Sequence, residues 1–150
     1  MAANLTTYGP TGGVAFLVHP SSAQTNIALS QVETVVFGTE RFDNGSNFAS
    51  NTFTAPVTGK YQLNFMVRLD ALDSAATYYQ TYLITSNKTY WTTIWPATLG
   101  SDPSSWSIST TAILADKDAN DTATVAIYQL GGTQQTDITD ETYFSGYLVA

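Results

Sequence analysis

The residues that could do chemistry in this chain are few, and the first of them is a single histidine. His19 lies in the stretch "FLVHPSS", directly before Pro20, and the chain of 150 residues contains no cysteine. Histidine triads and multi-histidine metal sites need several positioned partners, and thiolate chemistry needs a cysteine. We therefore interpret His19 as the end of a strand, and we predict that the chain has no catalytic residues and is not an enzyme.

Two acidic segments offer oxygen ligands for a hard cation. The segment "DKDAND" places Asp116, Asp118 and Asp121 in one loop, and "TDITDE" at 136–141 is a second acidic loop. Calcium prefers such carboxylates, but an EF-hand needs Gly and Glu where this chain has Asp121 and Ile127. We favour a solvated hairpin loop, with calcium at Asp116, Asp118 and Asp121 as the alternative, and we expect no other cofactor.

Aromatic side chains are concentrated in the middle of the chain. Within 29 residues the sequence has Tyr78, Tyr79, Tyr82, Tyr90, Trp91, Trp95 and Trp106. Exposed rings on a β-sheet can stack on carbohydrate, whereas buried rings fill cores and subunit interfaces. Both alternating faces of residues 78–84 carry apolar groups, as expected when one face contacts a neighbouring subunit. We favour core and trimer interface, with Tyr78, Tyr82, Tyr128 and Tyr147 as interface candidates, and keep a sugar site as the alternative.

The elements that must position these residues are predicted to be β-strands. Thr, Val, Ile and aromatic residues dominate, and no window has a sustained helical stripe. Many short strands separated by turn clusters indicate a β-sandwich or jelly roll. The predicted strands are Val14–His19, Thr34–Gly38, Asn51–Pro56, Lys60–Leu69, Thr77–Ile84, Lys88–Ile94, Trp106–Leu114, Thr122–Leu130 and Tyr143–Val149.

The clearest pattern is "FTAPVTGKYQLNF", residues 53–65. From Tyr61 to Leu69 every second residue is apolar, which is the period of a strand with one buried face. Pro56 fixes its backbone φ angle and Gly59 suits the last position of a turn, so we predict a turn that sets the register of the strand. The expected core residues are Phe53, Tyr61, Phe65 and Phe144.

Three stretches together resemble the complement C1q-type globular domain. They are "FTAPVTGKYQLNFMV", the upstream "VVFGTERFDNGSNF" and the closing "TYFSGYLVA". The resemblance covers about residues 14–149, and it implies a ten-strand jelly-roll β-sandwich that assembles as a trimer, as in the tumour necrosis factor-like group. It also implies a structural or recognition module. Residues 1–13 are expected to be a flexible N-terminal arm, and 14–150 the jelly-roll domain.

Composition narrows the possible partners. The net charge is −7, and only 11% of residues are charged, against about 25% in typical domains. Five scattered basic residues argue against nucleic-acid and membrane binding. The N-terminus has no pattern of a secretory signal.

We predict a homotrimeric structural protein at a virion surface, such as a phage capsid decoration (cement) protein or fibre head, with capsid proteins as partners. The alternative is an extracellular recognition module that binds glycan or protein.

Overall fold

The computed structural model describes residues 13–150, except for the side chains of residues 109–112, and this part is almost entirely β-structure. One short 3₁₀ helix, Pro96–Leu99, occurs in it, and no helix there is long and apolar enough to cross a membrane. The strands are β1 Ala15–His19, β2 Val32–Thr34, β3 Thr39–Asn44, β4 Phe48–Ala49, β5 Thr52–Thr54, β6 Gly59–Asp70, β7 Tyr78–Thr85, β8 Thr89–Ile94, β9 Ser105–Lys117, β10 Thr122–Leu130, β11 Asp137–Ile138 and β12 Tyr143–Leu148.

The strands form two antiparallel sheets that pack face to face. In the first sheet the order is β3-β1-β12-β6, with β9 on the far side of β6 and β11 beside the end of β6. In the second sheet the order is β4-β5-β10-β7-β8, and β2 also pairs with β10. Neighbouring strands are often far apart in sequence, as in other jelly rolls. The predicted all-β jelly-roll sandwich is therefore confirmed.

The strand boundaries differ from the predictions in two regions. The predicted strand Thr34–Gly38 is wrong, because β2 ends at Thr34 and β3 begins only at Thr39. Strands β2, β3, β4 and β11 were not predicted. Of these, β4 and β11 have only two residues each and carry too little periodicity to detect. The described residues therefore form twelve strands, where the resemblance implied ten.

The core between the sheets is rich in aromatic rings. Phe53, Tyr61, Phe65 and Phe144 are at most 1% exposed. The ring of Phe16 stacks on Phe53 at 4.6 Å and meets Phe144 edge-on at 5.0 Å, so it connects the two sheets. Offset and edge-on arrangements are those that aromatic pairs prefer.

The stretch "FTAPVTGKYQLNF" carries the chain from one sheet to the other. Residues 56–58 form a bend between β5 in the second sheet and β6 in the first, and Pro56 is exposed. The hydroxyl of Tyr61 donates to the carbonyl of Val57 at 2.8 Å and so fastens the bend to the core. Gly59 is the first residue of β6, where a Cβ atom would lie 2.5 Å from the carbonyl oxygen of Ala150. Glycine is needed there because the end of the chain packs against it.

Candidate functional site

The predicted interface tyrosines lie on opposite outer faces of the sandwich. Tyr78 and Tyr82 point outward from β7, and Tyr128 points outward from the adjacent β10. With Trp91 they belong to what we call the second-sheet face, formed by Tyr78, Gln80, Tyr82, Trp91, Thr93 and Tyr128. Tyr147 belongs to the first-sheet face, formed by Leu17, Phe42, Leu114, Tyr143 and Tyr147.

The second-sheet face is held together by contacts among its own side chains. The rings of Tyr78 and Tyr128 stack at 5.9 Å. The hydroxyl of Tyr82 donates to the side-chain oxygen of Gln80, whose amide nitrogen donates to the Thr93 hydroxyl at 2.9 Å. Burial, with the neighbouring Tyr78 and Tyr128, raises the pKa of Tyr82, so its hydroxyl stays protonated and can donate at neutral pH. These contacts fix the rings in position before any partner binds.

The first-sheet face exposes larger apolar groups. Phe42, Leu114, Tyr143 and Tyr147 are between 37% and 53% exposed. They lie on three of the five main strands of the sheet: Phe42 is on β3, Tyr143 and Tyr147 are on β12, and Leu114 is on the outer strand β9. Scattered exposed apolar residues are normal, but several on one sheet face indicate an interaction surface.

The acidic loop after β9 is organised by hydrogen bonds. The Asp121 carboxylate accepts from the backbone amide of Asp118 at 2.9 Å and from the side chain of Asn87 at 3.0 Å. These bonds lower the pKa of Asp121. The adjacent Lys117 is buried and donates to the carbonyl of Thr122 at 2.6 Å. Among the described residues, no three acidic or histidine side chains are grouped closely enough to hold a metal ion, so Asp116, Asp118 and Asp121 stay an untested calcium hypothesis.

His19 lies at the end of β1, with Nδ1 2.9 Å from the carbonyl oxygen of Pro20. A cavity of about 400 Å³ adjoins the second-sheet face, with which it shares Thr93; its lining residues are Thr93, Ile94, Trp95, Pro96, Thr98, Leu99 and Trp106. None of these lining residues is an acid or a base, and glycoside hydrolysis needs a pair of carboxyl groups. The lining therefore supplies no pair of carboxyl groups for such a reaction.

One buried carboxylate was missed at the sequence level. Asp73 is 2% exposed and connects the loop after β6 to the loop after β10. It accepts hydrogen bonds from the backbone amides of Thr133 at 2.5 Å, Gln134 at 2.8 Å and Ala75 at 2.7 Å. Burial alone would raise the pKa of Asp73, but these bonds outweigh it and lower the pKa. The Gly-Gly pair at 131–132 is the only sequence signal nearby, and it gives no hint of residue 73.

Comparisons with known proteins give the family. The model of the C1q domain matches residues 15–149. Murine APRIL at pH 8.0, a jelly-roll protein of the tumour necrosis factor family, is similar in structure with a TM-score of 0.64 and 12% identity, over 91% of this chain and 98% of that chain. For murine APRIL at pH 5.0 the TM-score is 0.61 and the identity 13%, over 91% and 99%. No curated protein is significantly similar in sequence. The predicted resemblance is confirmed.

Proposed function

This chain belongs to the C1q domain family, and on that premise we propose that it is a non-enzymatic module that assembles as a homotrimer. Members of the C1q and tumour necrosis factor-like group are typically trimeric, non-enzymatic, extracellular ligand-binding or signalling proteins. The observation that carries the proposal for this chain is the first-sheet face, where four large apolar side chains are exposed together. Burying them against another subunit would remove apolar surface from water, which is the main driving force of association.

A closed trimer can bury only one of the two outer faces completely. In threefold symmetry each interface joins two different patches, and the interfaces must close into a ring. The first-sheet and second-sheet faces point in opposite directions, so contact between them would build an open stack. We therefore propose that the first-sheet face, with Tyr147 near its middle, packs against a flank of the next subunit. On this view Tyr78, Tyr82 and Tyr128 lie outside the subunit contact.

The test is the molar mass of the purified protein and of two matched variants by light scattering. The wild type should have three times the 16.2 kDa chain mass. Tyr147→Ser, combined with Leu114→Ser, should give a monomer, because both changes remove apolar surface from the same face. Tyr128→Ser, on the opposite face, should leave the trimer intact. A monomeric wild type contradicts the proposal. Dissociation by Tyr128→Ser alone would show that the subunit interface lies on the second-sheet face and not on the first-sheet face.

The finer role that we propose for such a trimer is a virion surface component, a capsid decoration protein or fibre head. Its support is the low-charge composition rich in polar uncharged residues and the match between a threefold module and the local threefold positions of capsids. Genes for capsid or tail proteins next to this gene would support that role. Detection of the chain in purified particles by mass spectrometry would test it directly, and its absence from particles would contradict it.

A further inference from the structure

Among the described residues, the outward positions of the second-sheet strands carry no charged side chain, although the chain as a whole has net charge −7. The outward positions of β7 are Tyr78, Gln80, Tyr82 and Ile84. The outward residues of the flanking strands are Thr124, Ala126, Tyr128 and Leu130 on β10, Thr89, Trp91 and Thr93 on β8, and Val32 and Thr34 on β2. These outward residues offer no charged group that could pair with a phosphate, an acidic peptide or a basic patch.

The same face alternates flat rings with polar groups. Trp91 is 61% exposed and is the cross-strand partner of Tyr82, so an indole stands beside a phenol on neighbouring strands. Gln80 and Thr93, one row further along, join their side chains by a hydrogen bond. Because Tyr82, Gln80 and Thr93 are already linked, little side-chain freedom would be lost when a ligand binds.

We propose that the second-sheet face binds a neutral saccharide, with Trp91 as the main stacking platform and Gln80 and Thr93 as the adjacent polar contacts. A sugar ring has one apolar face of C–H groups, which can lie on an aromatic ring, and a rim of hydroxyl groups, which pair with amides and hydroxyls. A wholly apolar partner would leave the Gln80 amide and the Thr93 hydroxyl facing apolar groups, which is costly. This proposal does not depend on the trimer, because a monomer presents the same face.

The three tryptophans of the chain allow a direct test. In the double variant Trp95→Phe with Trp106→Phe, Trp91 is the only indole, and its fluorescence reports on the second-sheet face alone. We would titrate this variant with three neutral probes, cellohexaose, maltohexaose and hexa-N-acetylchitohexaose, and with the acidic oligomer hexagalacturonate. At least one neutral probe should change the Trp91 emission, and the acidic probe should not.

Affinity measurements by calorimetry on the full chain then locate the site. Trp91→Ala should weaken binding of the active probe by at least about tenfold, as loss of a central indole does. Trp95→Ala is the comparison variant, because Trp95 is 59% exposed and lines a cavity that adjoins the proposed site and shares Thr93 with it. It should weaken binding less than Trp91→Ala does, because Trp91 is the main stacking platform. Thermal melting of both variants checks that the fold is intact.

Three results would overturn the proposal. The first is that none of the neutral probes binds at millimolar concentration. The second is that Trp95→Ala weakens binding as much as Trp91→Ala, which would place the sugar in the cavity. The third is that Trp91→Ala changes the molar mass of the assembly, which would show that the second-sheet face is a subunit contact.

Discussion

The buried carboxylate of Asp73 gives the sharpest test of the structure. Substituting Asp73→Asn keeps the shape of the side chain but removes its charge. One carboxylate oxygen accepts from the amides of Thr133 and Gln134, and the other accepts from the amide of Ala75. An asparagine can supply an oxygen on only one side, so its amide group must face at least one backbone donor.

The size of the effect follows from these bonds. A hydrogen bond to a charged group contributes about 1.5–3 kcal/mol, and a neutral one about 0.5–1.5 kcal/mol. Asp73→Asn loses the bond to Ala75 and weakens those to Thr133 and Gln134. We therefore expect the free energy of unfolding at pH 7 to fall by about 2–4 kcal/mol. The measurement is urea denaturation of both proteins, and Asp140→Asn, an exposed carboxylate, is the control with a change within about 0.5 kcal/mol.

The pH dependence of the free energy of unfolding distinguishes the effect of the Asp73 charge from the effect of its side-chain shape. The pKa of Asp73 in the folded chain is lowered below its unfolded value of about 3.9, so its stabilisation is present above that value. It is lost as pH falls through the folded pKa, when the carboxylate becomes protonated. The difference between wild type and Asp73→Asn should thus be constant from pH 7 to about 5 and shrink below about pH 4. The role of the charge is refuted if the free energies of unfolding of wild type and Asp73→Asn differ by less than about 1 kcal/mol at pH 7. It is also refuted if their difference at pH 3 equals that at pH 7.

Three further predictions concern the core, the crossing between the sheets and the acidic loop. Phe65→Ala should lower the free energy of unfolding by about 3–5 kcal/mol in urea, because the ring is 1% exposed in the core; an unchanged midpoint would contradict this. Gly59→Ala should lower the free energy of unfolding by about 1–3 kcal/mol, because the added Cβ atom would meet the Ala150 carbonyl oxygen. Gly13→Ala is the control and should leave the free energy of unfolding unchanged, because nothing lies within 4 Å of its added Cβ atom. Equal effects of the two substitutions would refute the packing role of Gly59. EDTA should leave the melting temperature unchanged, because hydrogen bonds already hold Asp121, and a lower value with EDTA would restore the calcium alternative.

The sequence by itself determined the type of element and its buried face. The alternation from Tyr61 to Leu69 is local, and β6 buries those positions as the period of two requires. The alternation also separates Tyr78 and Tyr82 from Tyr79 and Leu83, but both sets are aromatic or apolar, so only the structure shows that Tyr79 and Leu83 are the buried set. The family resemblance added the jelly-roll architecture, which no local pattern contains.

Only the tertiary structure decided which distant residues meet. Tyr128 and Tyr147 both follow an alternating pattern, yet one lies on the second-sheet face and the other on the opposite side of the sandwich. Asp73 reaches the backbone of Thr133, 60 positions along the chain, because the loops after β6 and β10 lie side by side. Gly59 is explained by the end of the chain at Ala150. Such contacts depend on strand pairing across the whole chain, which the period of a single strand does not specify.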